Sequence, residues 1–213
     1  RVAPSLGLGG DRYLGYAAFS GPGNVLVLGA SGWDNLELTW FDRTGKEIGH
    51  MGAHKTFRDA VLSPDGRRAV AFLREPDESG DLWLLDVARD VASRFTFQRR
   101  ANMLNPIWSP DGSRIMFASP NSEGDFQLYE RSSDGSGSDA PVVTTNKSAV
   151  PTDWSADGRF VAFEDRDAKT GKRDLWLLPI SGDRKAVPYL QTPFDKFQAQ
   201  FSPDGRWIAY VSN

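Results

Sequence analysis

A tetrapeptide recurs along the chain at a nearly fixed interval, and that interval limits the possible folds more than any other feature. Ser63-Pro64-Asp65-Gly66 returns as Ser109-Pro110-Asp111-Gly112, Ser155-Ala156-Asp157-Gly158 and Ser202-Pro203-Asp204-Gly205, with the aspartates 46, 46 and 47 residues apart. An even period of this size marks a chain built from stacked copies of one unit. Each copy has the chemistry of a tight turn: Pro presets φ, Asp tolerates the bridge region and Gly accepts positive φ. The turn residues are therefore Asp65, Gly66, Asp111, Gly112, Asp157, Gly158, Asp204 and Gly205. Short apolar runs flank them, such as Ala60-Val61-Leu62 and Ala69-Val70-Ala71-Phe72, and these read as strands paired in a hairpin.

The unit continues with a third strand, Asp81-Leu82-Trp83-Leu84-Leu85, echoed from Asp125 to Tyr129 and from Asp174 to Leu178. A weaker fourth strand is expected at 94–97, 141–144 and 186–190. Four short strands per repeat with no helical periodicity predict an all-β chain, a β-propeller of four-stranded antiparallel blades. Four to five blades are expected. The predicted boundaries are 1–16 for a lead-in segment or closing strand and 17–55 for a degenerate first blade. Blades then follow at 56–101, 102–147 and 148–196, with a partial blade at 197–213. Residues 12–19 are a candidate closing strand for that partial blade. One blade cannot cover both its faces, so neighbours must stack. Leu62, Trp108, Trp154 and Phe201, each just before a turn serine, are expected between blades, and the seven tryptophans read as core.

The turn followed by an apolar strand and then Asp-Leu-Trp-Leu-Leu resembles the WD-like repeat of TolB-type propellers over residues 17–213. Leu38-Thr39-Trp40-Phe41-Asp42-Arg43-Thr44-Gly45-Lys46 and the run from Phe201 to Asn213 look most like the C-terminal propeller of bacterial serine/threonine protein kinases. That resemblance implies an extracytoplasmic propeller, periplasmic or extracellular, carried beyond a kinase domain and a membrane span, and a ring of about six blades of which this chain holds part.

The formal net charge is −3 and the cations are scattered, which argues against nucleic acid, since phosphate binding draws on clustered cations. No apolar stretch is long enough to insert in a membrane. With no cysteine, thiolate zinc sites and cysteine nucleophiles are excluded. His50 and His54 are the only histidines, and neither accompanies a Gly-x-Ser-x-Gly elbow. The segment from Asp165 to Gly171 starts like a calcium loop, but Lys169 stands where an oxygen is needed and Trp176 where a bidentate Glu belongs. Nothing marks out a carboxylate pair for glycoside hydrolysis. No metal, cofactor or catalytic set is expected, and the chain reads as a non-enzyme.

In such a blade one mouth of the ring gathers the constant turns. The other gathers the loops between second and third strands and the lead-in to each first strand. These differ from blade to blade, either because specificity resides there or because nothing constrains them. The candidate partner-binding residues are Arg58, Asp59, Arg74, Glu75, Asp77, Glu78, Asn105, Glu123, Asp165, Arg166, Asp167, Lys172 and Arg173. Their mixed charge suits a protein or peptide partner. Two functions fit: an interaction or sensory module, or the gating propeller of a prolyl-oligopeptidase-type peptidase. Bare blade edges make self-association a third expectation.

Overall fold

A computed structural model describes residues 17–19, 25–30, 36–51, 57–75, 77, 79–98, 104–143, 147–167 and 169–213. Eighteen strands and no helix occur among them. The first sheet holds β1 (Ala17–Phe19), β2 (Val25–Ala30), β3 (Leu36–Phe41) and β4 (Glu47–Met51) in sequence order. The second holds β5 (Phe57–Leu62), β6 (Arg68–Arg74), β7 (Gly80–Asp86) and β8 (Val91–Arg94). The third holds β9 (Leu104–Trp108), β10 (Arg114–Pro120), β11 (Phe126–Ser132) and β12 (Ala140–Val143). The fourth holds β13 (Ser148–Trp154), β14 (Phe160–Arg166), β15 (Arg173–Pro179) and β16 (Val187–Leu190). A two-stranded sheet, β17 (Lys196–Phe201) and β18 (Ile208–Ser212), follows. All pairing is antiparallel, and first strands pack in series: β1 on β5, β5 on β9, β9 on β13, β13 on β17.

Burial explains why the sheets stack. Leu62 joins Leu38 and Met51 of the first sheet, and Trp108 joins Val70, Phe72 and Leu82 of the second. Trp154 joins Met116 and Leu128 of the third. Each fully buried Phe or Leu contributes about 1.5–3 kcal/mol. The last junction differs, because its buried apolar cluster among the described residues holds Ala162, Leu175 and Ala199, with Phe201 and Ile208 partly buried against it.

Three expectations need correction. The fourth strand of the second sheet is Val91–Arg94, not 94–97, because pairing with Trp83 to Asp86 fixes it. Phe95 and Thr96 are buried beyond the strand end, Phe95 against Trp108 of the next sheet. Residues 17–19 pair with Val25 to Val27 in the first sheet instead of closing the last one, and residues 12–16 lie outside the described residues. Trp207 is 70% exposed, since no third strand flanks β18 among the described residues; Trp33 lies outside the described residues.

Each of β5, β9, β13 and β17 shifts register near its middle, one extra residue opposing its partner strand. Asn105 (φ 47°) and Gln198 (φ 55°) lie at two of these bulges in the left-handed region. Bulges bend the strand they interrupt.

Candidate functional site

The turn mouth is occupied by its own chemistry. The Ser63 hydroxyl donates to Asp65 Oδ1 at 2.6 Å, the Arg67 N–H donates to the same oxygen at 3.0 Å, and the Gly66 N–H donates to the Ser63 carbonyl at 2.8 Å. The same hydroxyl-to-carboxylate bond recurs at Asp111, Asp157 and Asp204. Gly66, Gly112, Gly158 and Gly205 have φ of 67–74°. These bonds, the serine hydroxyl first, lower all four carboxyls, Asp111 and Asp157 to about 2. Carboxylates so engaged have little left for a ligand.

The aspartates at the start of the third strands bind residues farther along the chain, Asp125 and Asp174 reaching the first strand of the next sheet. Asp81 is buried and accepts from the Thr96 hydroxyl at 2.8 Å, the Gln98 N–H at 3.1 Å and the Arg94 guanidinium. Asp125 accepts from the Ser148 hydroxyl at 3.3 Å, and Asp174 pairs with Lys196 at 3.5 Å. Ser148 and Lys196 open the next first strand, whereas Arg94 lies on the fourth strand of the same sheet as Asp81, and Thr96 and Gln98 lie in the link beyond it.

At the loop mouth, chain order puts the candidate residues at one end of their sheets. Arg58 and Asp59 lie on β5, with side chains outside the described set, as Glu78 is altogether. Glu75, Asp77, Glu123 and Arg166 are exposed, while Arg74 and Asn105 are partly buried. Several of these shape their own loops: Asp77 Oδ1 accepts from the Ser79 N–H at 3.1 Å, and Asp167 Oδ1 from the Lys169 and Thr170 N–H groups at 3.0 and 2.9 Å. The Thr170 N–H is the first cause holding the Asp167 carboxyl low. Asp165 is buried and pairs with Lys147 at 3.8 Å. Arg173 pairs with Glu164 at 3.8 Å, and its N–H donates to Asp195 Oδ1 at 2.9 Å.

A cleft of about 500 Å³ forms here, lined by Thr170, Gly171, Lys172, Pro193, Phe194, Asp195 and Asn213. It joins the 166–173 loop to the 191–195 linker of the last hairpin, which the candidate set omits. The available signal was an aromatic, Phe194, in a linker. A second hollow, about 380 Å³ at the turn mouth, is lined by the engaged Asp111 and Asp157.

Two carboxyls hold β17 to the fourth sheet. Glu164 Oε1 accepts the Gln198 N–H at 2.7 Å and Asp153 Oδ2 the Phe201 N–H at 2.7 Å. Burial pushes both carboxyls above their usual range, against those bonds. Neither lines the cleft, so raised basicity alone gives them no substrate. His50 bridges Glu47 at 3.1 Å and Thr39 at 3.3 Å, His54 lies outside the described residues, and no metal-ligating trio occurs among those described.

Sheets of antiparallel strands stacked through their first strands, with constant turns at one end and unlike loops at the other, define a β-propeller. The TolB beta propeller domain family matches residues 43–213, and the chain belongs to it. Among solved structures it is similar to TolB of Acinetobacter baumannii, at TM-score 0.72 and 18% identity, covering 90% of this chain and 47% of that one. It is also similar to a puromycin-hydrolyzing peptidase of Mycobacterium tuberculosis, at TM-score 0.66 and 15% identity, covering 92% and 35%. At such identities the likeness shows the fold. The uncharacterized peptidase YuxL of Bacillus subtilis (strain 168) is 25% identical over 173 residues, covering 80% of this chain and 24% of YuxL. The chain therefore spans about a quarter of that relative's length.

Proposed function

We propose that the chain is a non-catalytic interaction module that binds a protein or peptide at its loop mouth, outside the cytoplasm, as the propeller of a receptor-like kinase or TolB-like protein. The observation that carries this reading is the contrast between the mouths. One repeats the same engaged turn, whereas the other bears unlike loops and the cleft at 170–172 and 193–195. A stiff frame presenting variable loops is how such folds recognise ligands. Exposed Trp207, Tyr210 and Val211 on the last hairpin favour self-association as a secondary property.

The test is selection of peptides from a displayed library on the intact chain, then on chains whose 74–80, 120–124 or 165–173 loop is a Gly-Ser turn. Selected peptides should lose affinity for at least one folded variant. Affinity kept by all three would move the site, and peptide hydrolysis by the purified chain would end the non-catalytic reading. The similarity to YuxL and the mycobacterial peptidase favours a second reading, a gating propeller of a serine peptidase. The reading frame separates the two: a Gly-x-Ser-x-Gly hydrolase after residue 213 supports the peptidase, a kinase before residue 1 the receptor.

A further inference from the structure

The 191–195 linker is held from below by a buried cation. Lys196 is 1% exposed, and its ammonium donates to the Phe194 carbonyl at 2.6 Å and the Thr192 carbonyl at 3.3 Å while pairing with Asp174. A buried ammonium is costly unless hydrogen-bonded, so those carbonyls are fixed in place. The Asp195 N–H donates to Asn213 Oδ1 at 2.9 Å, and Asp195 Oδ1 accepts from the Arg173 N–H. A backbone tied at these points nevertheless holds the Phe194 ring 59% exposed, beside Pro193 in the cleft. An aromatic ring on a pre-ordered backbone is the kind of anchor on which interface energy concentrates.

Charge beside the Thr170–Lys172 wall of the cleft is lopsided although the chain is net acidic. The acids are engaged: Asp167 by two N–H groups, Asp174 by Lys172 and Lys196, and Asp195 by the Arg173 N–H. Arg166 and Lys169 are exposed and make no ion pair among the described residues. Arg166 stands directly across the β14–β15 ladder from Arg173, and its guanidinium lies 3.8 Å from where a Gly171 Cβ would be. Gly171 (φ 71°) keeps that wall of the cleft free of side chain.

We propose that this cleft binds an acidic peptide, an apolar side chain resting on Phe194 and carboxylates taken by Arg166 and Lys169. The inference rests on the interaction-module reading and narrows it to one junction and one ligand chemistry. The probe is a fluorescein-labelled decapeptide of alternating Glu and Leu, with an alternating Lys and Leu peptide and a single-stranded oligonucleotide as controls, read by anisotropy. The acidic peptide should bind, more weakly as salt rises. Phe194→Ala and the double variant Arg166→Glu with Lys169→Glu, all at exposed positions, should each lower affinity by at least about tenfold at unchanged melting temperature.

Equal binding of the acidic and basic peptides, preferential binding of the oligonucleotide, or affinity unchanged by both variants would overturn the proposal. If library-selected peptides depend on the 74–80 or 120–124 loops and ignore both variants, this cleft is wrong and the interaction module stands. If no peptide binds the loop mouth at all, both fall.

Discussion

The junction between the fourth sheet and the last hairpin offers the sharpest test of how this array is held. Asp153→Ala removes the acceptor of the Phe201 N–H, and Glu164→Ala that of the Gln198 N–H, each bond being 2.7 Å. A donor left unpaired in a partly buried seam costs about 1–3 kcal/mol. Little apolar area compensates here, with three small or aliphatic residues buried. Phe201 is partly buried while Gln198 is exposed and can turn to water, so the larger loss is expected from Asp153→Ala. At 1–2 kcal/mol the amides of β17 and β18 should exchange about 5–30-fold faster, with β10 and β11 unchanged. Amide exchange read by mass spectrometry checks this.

The pH dependence has a definite sign. Both carboxyls are raised above 3.8 and 4.5, so the stability tied to them is fully present below those values and fades as pH rises through the raised ones. A double variant, Asp153→Asn with Glu164→Gln, keeps the acceptor oxygens and lacks this fading. It should therefore gain on the natural chain as pH rises from about 4 to 8. The turn aspartates act in another window, because their stability is present above 3.8 and lost as pH falls toward about 2 at Asp111 and Asp157. Exchange unchanged in both alanine variants, or a double variant that tracks the natural chain across the upper window, would refute this account of the seam.

Three further outcomes follow from the frame. Gly112→Val should destabilise by about 1–3 kcal/mol, since φ of 69° suits no β-branched residue, although Pro64 Cδ at 3.8 Å leaves room; an unchanged thermal melt would contradict it. Asp81→Ala strands Thr96, Gln98 and Arg94, and because Arg94 keeps some water the expected loss is about 2–3 kcal/mol by urea unfolding. Arg68→Ala removes a guanidinium that lies 5.0 Å over Trp108 and bonds the Ser133 and Gly112 carbonyls, so about 1–2 kcal/mol should be lost by the same measurement.

The blades were legible because their signals are local. A Ser hydroxyl, an Asp carboxylate and a Gly at positive φ close the hairpin within six residues, whatever surrounds it. Edge strands were less legible, since the apolar signal at Phe95 and Phe97 belongs to the link between sheets while the fourth strand itself, Val91 to Arg94, is mostly exposed. Among the loop candidates, Asp165 and Arg173 have partners far along the chain that spacing could not reveal. Asp153 and Glu164 were within reach of the sequence. They occupy positions that hold Val61 and Ile107, and Phe72 and Ala118, in the two preceding copies.

Those substitutions bear on where a site can arise in a repeating frame. A repeat places similar side chains at every junction and so makes every junction alike, whereas recognition of one partner needs a junction that differs. The departures gather at the last one: Asp153 and Glu164 in the seam, Lys196 beneath the linker and Phe194 above it. Apolar contacts would close such a seam along its length, but hydrogen bonds to single N–H groups hold it at points. That leaves its loop-mouth end rigid and yet open, which is what a cleft for a peptide side chain requires.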